Sequence, residues 1–184
     1  MKFDRYLELL RPLAAEQGIE LQLRPGVSES ALADVEQKLG FQLDKPMRQA
    51  WLTHNGGEEW QNTFAIPDLT DGYTLLSLGQ AMAAREHLKT RSTQYDNYQQ
   101  PKRRDKRIQK GWYHPGWVPF AGFGGGTLLL MQDYSPAPTG VAGQIIAFTH
   151  DPDAITYVAD GFASFLRESI NALKSDPEEF FPEE

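Results

Sequence analysis

The 184-residue sequence contains no cysteine. That absence excludes a disulfide framework, thiol catalysis and cysteine-rich zinc sites, and it is typical of proteins in a reducing compartment. Long hydrophobic runs are also missing, because no apolar stretch approaches the roughly 18–20 residues that span a bilayer. Acidic residues and Pro12 interrupt the apolar pattern of residues 1–18, so this stretch differs from a signal peptide. The sequence therefore predicts cytoplasmic localisation and no contact with a membrane.

Basic residues are outnumbered, with 18 Lys and Arg against 25 Asp and Glu and a net charge of −7. Proteins that bind nucleic acid are usually basic, so this balance disfavours direct contact with nucleic acid and favours a basic protein partner. Residues 101–110 are the exception, because six bases and one acid give them a charge of +5 and leave −12 for the rest. This run could contact an anionic surface, but the acidic remainder favours a solvated helix face that faces away from the partner.

The glycine-rich stretch 122–126 raises the question of a phosphate-binding loop. Such a loop needs a lysine beside a Ser or Thr that opens a helix, whereas Thr127 has no lysine before it and precedes the strand-like run Leu-Leu-Leu-Met. The dinucleotide fingerprint would also need a glycine at position 127. Glycine supplies the positive φ angles of tight turns, so the sequence predicts that these glycines turn a hairpin.

Motifs for metal ions and for nucleophilic catalysis are missing as well. The four histidines lack a spacing such as His-Glu-x-x-His, and there is no Gly-x-Ser-x-Gly. The stretch Asp151-Pro-Asp153 lacks the glycine and the closing Glu of a calcium loop, so it is interpreted as a turn. The sequence predicts no metal, no cofactor and no catalytic residue. If the protein were an enzyme, Asp133, His150 and Asp151 would be the residues to suspect.

Helical patterns fill the first half of the chain, and strand patterns dominate the second. Ser28, Asp44 and Ser77 are placed to cap three helices. Apolar runs predict strands at 117–121, 127–133, 143–150 and 154–159, before an amphipathic C-terminal helix. The sequence therefore predicts one α+β domain over residues 1–184, with a mixed or antiparallel sheet packed against the N-terminal helices and the C-terminal helix.

Two tryptophans and one aspartate have expected places in this fold. Trp51 lies on the apolar face of a predicted helix and Trp117 in a predicted strand, so both should be buried. Asp133 ends a strand shortly before Pro136, and it should accept backbone N–H bonds in the turn.

Residues 27–172 resemble the SMI/KNR-type cell-wall assembly regulators of the SUKH superfamily. The likeness rests on a helix ending in Asn-Gly-Gly, a Trp-x-Pro strand, a glycine turn, a strand ending in Asp, and a Gly before Gln-Ile-Ile. The positions that carry it, read as structural, are Trp51, Asn55, Gly56, Trp117, Pro119, Asp133, Pro136, Gly143 and Phe162. One departure is that two residues separate Leu43 from Pro46, which are adjacent in the family pattern.

The resemblance implies an α+β fold without a catalytic centre. Bacterial members are largely immunity proteins that neutralise toxins, many of them nucleases, whereas fungal members regulate glucan synthesis through protein–protein contacts and carry long disordered arms. Because these 184 residues include no such arm, the resemblance favours an immunity protein that binds a basic toxin, such as a nuclease. A regulatory scaffold in cell-wall synthesis is the alternative.

The partner surface is expected in acidic loops near the two glycine-rich turns. Loops on a rigid scaffold are where recognition usually occurs, and tyrosine is enriched among residues that dominate binding. The predicted set comprises Tyr134 as the aromatic anchor and the acids Glu58, Glu59, Asp68, Asp71, Asp151 and Asp153. The alternative is that these acids only keep the protein soluble.

Overall fold

The computed structural model describes residues 1–58, 61–67 and 72–181. Its elements confirm the α+β prediction, with helices first and most strands later in the chain. The helices are α1 (Phe3–Glu16), α2 (Glu29–Leu39), α3 (Lys45–Thr53), α4 (Leu78–Ser92), α5 (Phe162–Ser175) and α6 (Pro177–Phe180). The strands are β1 (Leu23–Pro25), β2 (His54–Gly57), β3 (Thr74–Leu75), β4 (Trp117–Phe123), β5 (Leu128–Asp133), β6 (Gln144–Thr149) and β7 (Ala154–Ala159).

Three helices begin at the caps that the sequence predicts. The side chains of Ser28 and Asp44 accept hydrogen bonds from backbone N–H groups three residues further on. Ser77 does the same, and the Gln80 side chain accepts a hydrogen bond from the Ser77 N–H, which completes a capping box. Each cap satisfies donors that a helix start leaves free, so these boundaries follow from local chemistry.

Five strands form one antiparallel sheet in the order β3-β4-β5-β6-β7, and β1 pairs with β2 in a separate ribbon. A short turn, Gly124–Gly126, connects β4 to β5 with φ angles of 58°, 67° and 92°. Residues other than glycine rarely adopt such positive φ angles. The prediction that these glycines turn a hairpin is therefore confirmed.

Both faces of the sheet are covered, which explains why its central strands are apolar at consecutive positions. Leu128 and Leu130 pack into a cluster with α1, α3 and α5, whereas Leu129 and Met131 pack into a second cluster with Leu88 of α4. Successive side chains of a strand point to opposite faces, so a run such as Leu-Leu-Leu-Met requires cover on both sides. Trp51 and Trp117 are fully buried, as predicted.

One local prediction was wrong. Residues 101–110 form turns and bends rather than a helix face, because contacts with distant segments replace the local helical pattern. The helix before Asn55-Gly-Gly ends at Thr53 with His54 as its C-cap, as that stop predicts, and residues 54–57 continue as β2. No helix in the described ranges is long and apolar enough to cross a membrane.

Candidate binding groove

A groove runs between α4 and the glycine turn of the β4–β5 hairpin. Its larger part has a volume of about 480 Å³, with a floor that includes Leu75, Leu76 and Leu129. A second part, of about 330 Å³, adjoins it and shares His87, Gly125 and Gly126 with it. The apolar floor and the two walls make this groove the candidate site in the described part of the chain.

One face of α4 forms a wall of this groove. The helical positions Gln80, Ala83, His87 and Thr90 recur at intervals of three or four residues, so they lie along one face. All four are exposed, and none is an acid, a lysine or an arginine. They span eleven residues, or about 15 Å over ten steps of 1.5 Å, which is the length of four or five residues of extended chain.

The glycine turn forms the opposite wall. A Cβ atom added at Gly125 or Gly126 would meet nothing within 4 Å, so the backbone there borders open space. Because these residues have no side chains, a bound segment can approach the backbone closely. The glycines that the sequence predicts as turn residues therefore also shape the groove.

Cations lie at both ends of the groove. Arg24 lines one end, and Arg91 and His150 line the other. No acidic residue is among the described residues that line either part. The nearby acids pair with these cations without lining the groove: Glu58 pairs with Arg24 at 3.4 Å, and Asp153 pairs with Arg91 at 3.4 Å.

Asp153 is the centre of a polar cluster at the second end. The Tyr95 hydroxyl donates to its Oδ2 at 2.7 Å, and His150 and Arg91 contact its Oδ1. Burial alone raises the pKa of Asp153, but the Tyr95 and His150 hydrogen bonds and the Arg91 charge outweigh it and lower this pKa. Burial, followed by the bond to Asp153, raises the pKa of Tyr95 to about 12. The cluster is a stable ion pair and not a poised acid or base.

The structure places the predicted acidic set at separate positions. Glu58 and Asp151 are exposed, whereas Asp153 is largely buried by its partners. Glu58 and Asp153 are associated with opposite ends of the groove, through Arg24 and Arg91. Glu59, Asp68 and Asp71 lie outside the described residues. The use of this set in binding stays a prediction.

Tyr134, the predicted anchor, is half-buried and its hydroxyl is used within the fold. The hydroxyl donates to Gln132 Oε1 and accepts the N–H of Asp44 at 3.0 Å. Its ring packs on Phe41 with centroids 5.1 Å apart. Burial raises the pKa of Tyr134, so the group stays protonated. Its role as a binding anchor is a prediction that these contacts neither require nor test.

Asp133 lies at the other end of β5 from the glycine turn, and its contacts are structural. The Ser135 N–H donates to Oδ1 at 2.9 Å, as predicted for this turn, and Gln144 Nε2 donates to Oδ2 at 2.9 Å. Gly143, with φ of 89°, donates its N–H to the Asp133 carbonyl at 2.7 Å. Pro136, half-buried in the same turn, accepts a long bond from Gln109 on its carbonyl. Burial raises the pKa of Asp133 despite these bonds.

The remaining motif residues join segments of the fold. Asn55 Oδ1 accepts the N–H of Leu78 at 2.8 Å, which ties β2 to the start of α4. Gly56 lies so close to this start that a Cβ would be 2.7 Å from the Ser77 nitrogen. Pro119 sits in β4 next to a register shift, which accommodates its missing N–H, and Phe162 is buried against α1.

The three residues suspected for catalysis do not converge. Asp133 pairs with the first residue of β6, whereas His150 follows its last residue. Six residue steps along the strand separate these points, or about 20 Å. The described residues contain no group of three His, Asp or Glu side chains placed to hold a metal ion. The groove's side chains can bind and orient a ligand, but they form no nucleophile–base pair.

Sequence reasoning missed the groove because its signal is weak. Along the groove, α4 presents Gln80, Ala83, His87 and Thr90, a set of side chains that alone resembles an ordinary solvated helix face. The available signal was the combination of that face with three glycines in a turn, and only the fold brings the two together.

Comparison with known proteins identifies the relatives of this chain. The sequence model of the SMI1/KNR4 family (SUKH-1) matches residues 26–168. The glucan synthesis regulatory protein of Neurospora crassa is 28% identical over 205 aligned residues, covering 95% of this chain and 37% of that protein. The cell wall assembly regulator SMI1 of Saccharomyces cerevisiae is 22% identical, covering 80% of this chain and 35% of that protein.

A third relative is the cell wall biosynthesis/cell cycle regulator smi1 of Schizosaccharomyces pombe. It is 26% identical, with 79% of this chain and 30% of that protein covered. The chain therefore spans about a third of the length of these curated relatives.

Proposed function

The chain belongs to the SMI1/KNR4 family, and on that premise we propose that it is a non-catalytic regulatory domain of cell-wall or glucan synthesis that acts by binding a partner protein. The observation that carries this proposal is the groove between α4 and the glycine turn, which offers binding surface without a catalytic pair. The three relatives are named as regulators of glucan synthesis, of cell wall assembly, and of cell wall biosynthesis and the cell cycle, and these names support the same function.

The proposed occupant of the groove is an extended segment of the partner. The face of α4 that lines the groove is about 15 Å long, which suits four or five extended residues. The floor of Leu75, Leu76 and Leu129 would take apolar side chains. The open backbone at Gly125 and Gly126 leaves room for the segment's own backbone.

The experiment combines deletion of the gene with a variant that fills the groove. Ala83 is exposed on the groove face of α4, so Ala83→Trp should occupy the groove without disturbing the core. Ala33→Trp makes the same change at an exposed position of α2 and serves as the matched control. We expect deletion to sensitise cells to wall-perturbing compounds, and expression of wild type or Ala33→Trp, but not of Ala83→Trp, to restore resistance.

Two results would contradict the proposal. A deletion strain with normal wall resistance would remove the regulatory role. Full complementation by Ala83→Trp would show that the regulatory role does not need the groove, provided that the variant and its control have the same melting temperature.

The excess of acidic residues favours a second candidate, an immunity protein that binds a basic toxin. Complementary charge speeds such an encounter and makes it sensitive to salt. In that case, co-expression should rescue growth from a toxin encoded beside this gene. We rank this candidate second, because the names of the three relatives describe regulators and so support the first proposal.

A further inference from the structure

A second surface, outside the groove lining, carries the chain's concentration of positive charge. We call it the basic platform and define it by its exposed side chains, which are Tyr98, Lys102, Arg103, Lys106, Lys110 and Val141. None of its four cations forms an ion pair with a residue that the structure describes. The nearby acid Asp105 is instead paired with Arg107. Four exposed cations outside ion pairs, on a protein of net charge −7, point to an anionic partner.

The loop under the platform is held from within by Arg104. This guanidinium donates to the carbonyls of Gln109, at 3.0 Å, and Gly111, and it lies 5.0 Å from the centre of the Trp112 ring. Burial lowers the pKa of Arg104 to about 10, which still leaves it protonated at neutral pH. An arginine used in this way fixes the loop and leaves its neighbours free to face solvent.

A second set of bonds ties the loop to the segment before β6. Thr139 donates its hydroxyl to the Lys106 carbonyl at 2.8 Å, and the Ala137 N–H donates to the Arg107 carbonyl at 3.0 Å. The buried Gln144 side chain also donates to the Arg107 carbonyl, at 2.9 Å. Binding by a loop already held in place loses less conformational entropy than binding by a free one.

The platform also contains exposed apolar surface. Among the described residues, Tyr98 and Val141 are the large hydrophobic side chains that remain exposed, at 39% and 57%. The Tyr98 ring stands 5.4 Å from Trp112, on which Arg104 stacks. The Val141 N–H donates to Gln144, the side chain that holds the Arg107 carbonyl. Charge and apolar surface therefore occur on one rigid unit, as in many protein interfaces.

We propose that the basic platform binds an acidic segment of a partner protein that also carries apolar side chains. A long polyanion such as duplex DNA would extend beyond four cations and meet a body with a charge of −12, which would repel it. A short acidic segment avoids that repulsion. Tyr98 and Val141 give its apolar side chains a place to pack, which phosphate groups would not use.

The test is fluorescence anisotropy with a short labelled peptide that repeats Asp-Glu-Leu. The loss variant replaces Lys102, Arg103, Lys106 and Lys110 with glutamine. The matched control makes the same charge change at four exposed cations before α1 and on α2 and α5, which are Lys2, Lys38, Arg167 and Lys174. We expect the loss variant to weaken binding about ten-fold or more, because it removes four charge contacts together, each of which contributes modestly at a surface. The control should stay within about two-fold, because screening weakens distant charges.

Two further arms test the chemistry of the partner. Val141→Ser should weaken binding about three-fold or more by removing apolar contact, and a peptide that repeats Asn-Gln-Leu should bind far more weakly. Equal loss in the two fourfold variants, equal binding of the amide peptide, or no binding of the acidic peptide would overturn the proposal. A DNA duplex that binds as tightly as the acidic peptide would overturn it in favour of nucleic acid. These outcomes are independent of the wall-resistance assay, because its groove-filling variant changes α4 and leaves the platform residues intact.

Discussion

Replacing Tyr6 with phenylalanine removes one oxygen atom from the centre of the protein. The Tyr6 hydroxyl is fully buried, donates to the Thr63 carbonyl at 2.6 Å and lies 2.9 Å from Ser169 Oγ. Ser169 Oγ in turn accepts the N–H of Ala65 at 3.0 Å. Burial raises the pKa of Tyr6, so its proton is present at any pH at which the protein is studied. This relay joins α1, α5 and the segment 63–65.

The magnitude follows from the groups left without partners. Tyr6→Phe removes both bonds of the hydroxyl and leaves buried oxygens of Thr63 and Ser169 short of a donor or acceptor. An unsatisfied buried polar group costs about 1–3 kcal/mol, so we expect a loss of about 2 kcal/mol in the free energy of unfolding. In a protein of this size, that lowers the melting temperature by roughly 4–8 °C. Ser169→Ala should cost a similar amount, because the Ala65 N–H loses its acceptor.

The assay is urea unfolding of the two single variants and the double variant, followed by circular dichroism. The sum of the two single losses in the free energy of unfolding should exceed the loss in the double variant by about 1 kcal/mol, because each single variant removes the same Tyr6–Ser169 bond. Tyr98→Phe is the control, because Tyr98 is exposed and its hydroxyl donates to the Asp153 carbonyl at the surface, where water can replace that bond; its loss should stay within about 0.5 kcal/mol. A Tyr6→Phe variant as stable as the control, or fully additive single losses, would refute the reasoning.

Two other predictions concern stability. Trp51→Ala should lower the free energy of unfolding by about 3–5 kcal/mol, because Trp51 is fully buried and donates to the Leu76 carbonyl at 3.0 Å; an unchanged thermal midpoint would show that the core is assigned wrongly. Hydrogen bonds from the Arg107 side chain, and then from its backbone, lower the pKa of Asp105 from 3.8 to about 2. A carboxyl group whose pKa is lower in the folded protein stabilises the fold at pH values above its unfolded pKa. That stabilisation is lost as the pH falls through the folded pKa. The free energy of unfolding of the wild type should therefore exceed that of Asp105→Asn by about 1 kcal/mol at neutral pH, after allowance for partial exposure, and urea titrations should show this difference vanish between pH 3.8 and about 2.

Asp44 makes one hydrogen bond that the sequence predicts and one that only the tertiary structure shows. Asp44 is recognisable as a cap from its place before Pro46, and it does accept the Met47 N–H. Its other oxygen accepts a hydrogen bond, at 2.5 Å, from Nε2 of Gln132, which lies in strand β5 far along the chain. Local spacing predicts the first bond, but nothing near residue 44 indicates the second.

The candidate surfaces were predictable only in part. The glycine hairpin follows from composition, because three consecutive glycines before a strand allow few other structures. The groove beside it does not, since it requires α4 to pack next to that turn. The charge of residues 101–110 is plain in the sequence, whereas its non-helical form depends on Arg104 and on Gln144, which bind carbonyls that a helix would have used internally.

The sequence by itself determined the elements whose signals are local, namely the caps at Ser28, Asp44 and Ser77, the turn at 124–126 and the double-sided strand β5. Their causes act within a few residues, through backbone hydrogen bonds and side-chain alternation. Tertiary structure alone decided which segments meet, including the pairing of β3 with β4 and the support of the basic loop from the chain before β6. Those contacts join residues tens of positions apart, and their free energy depends on the burial of both partners together, which neither local pattern contains.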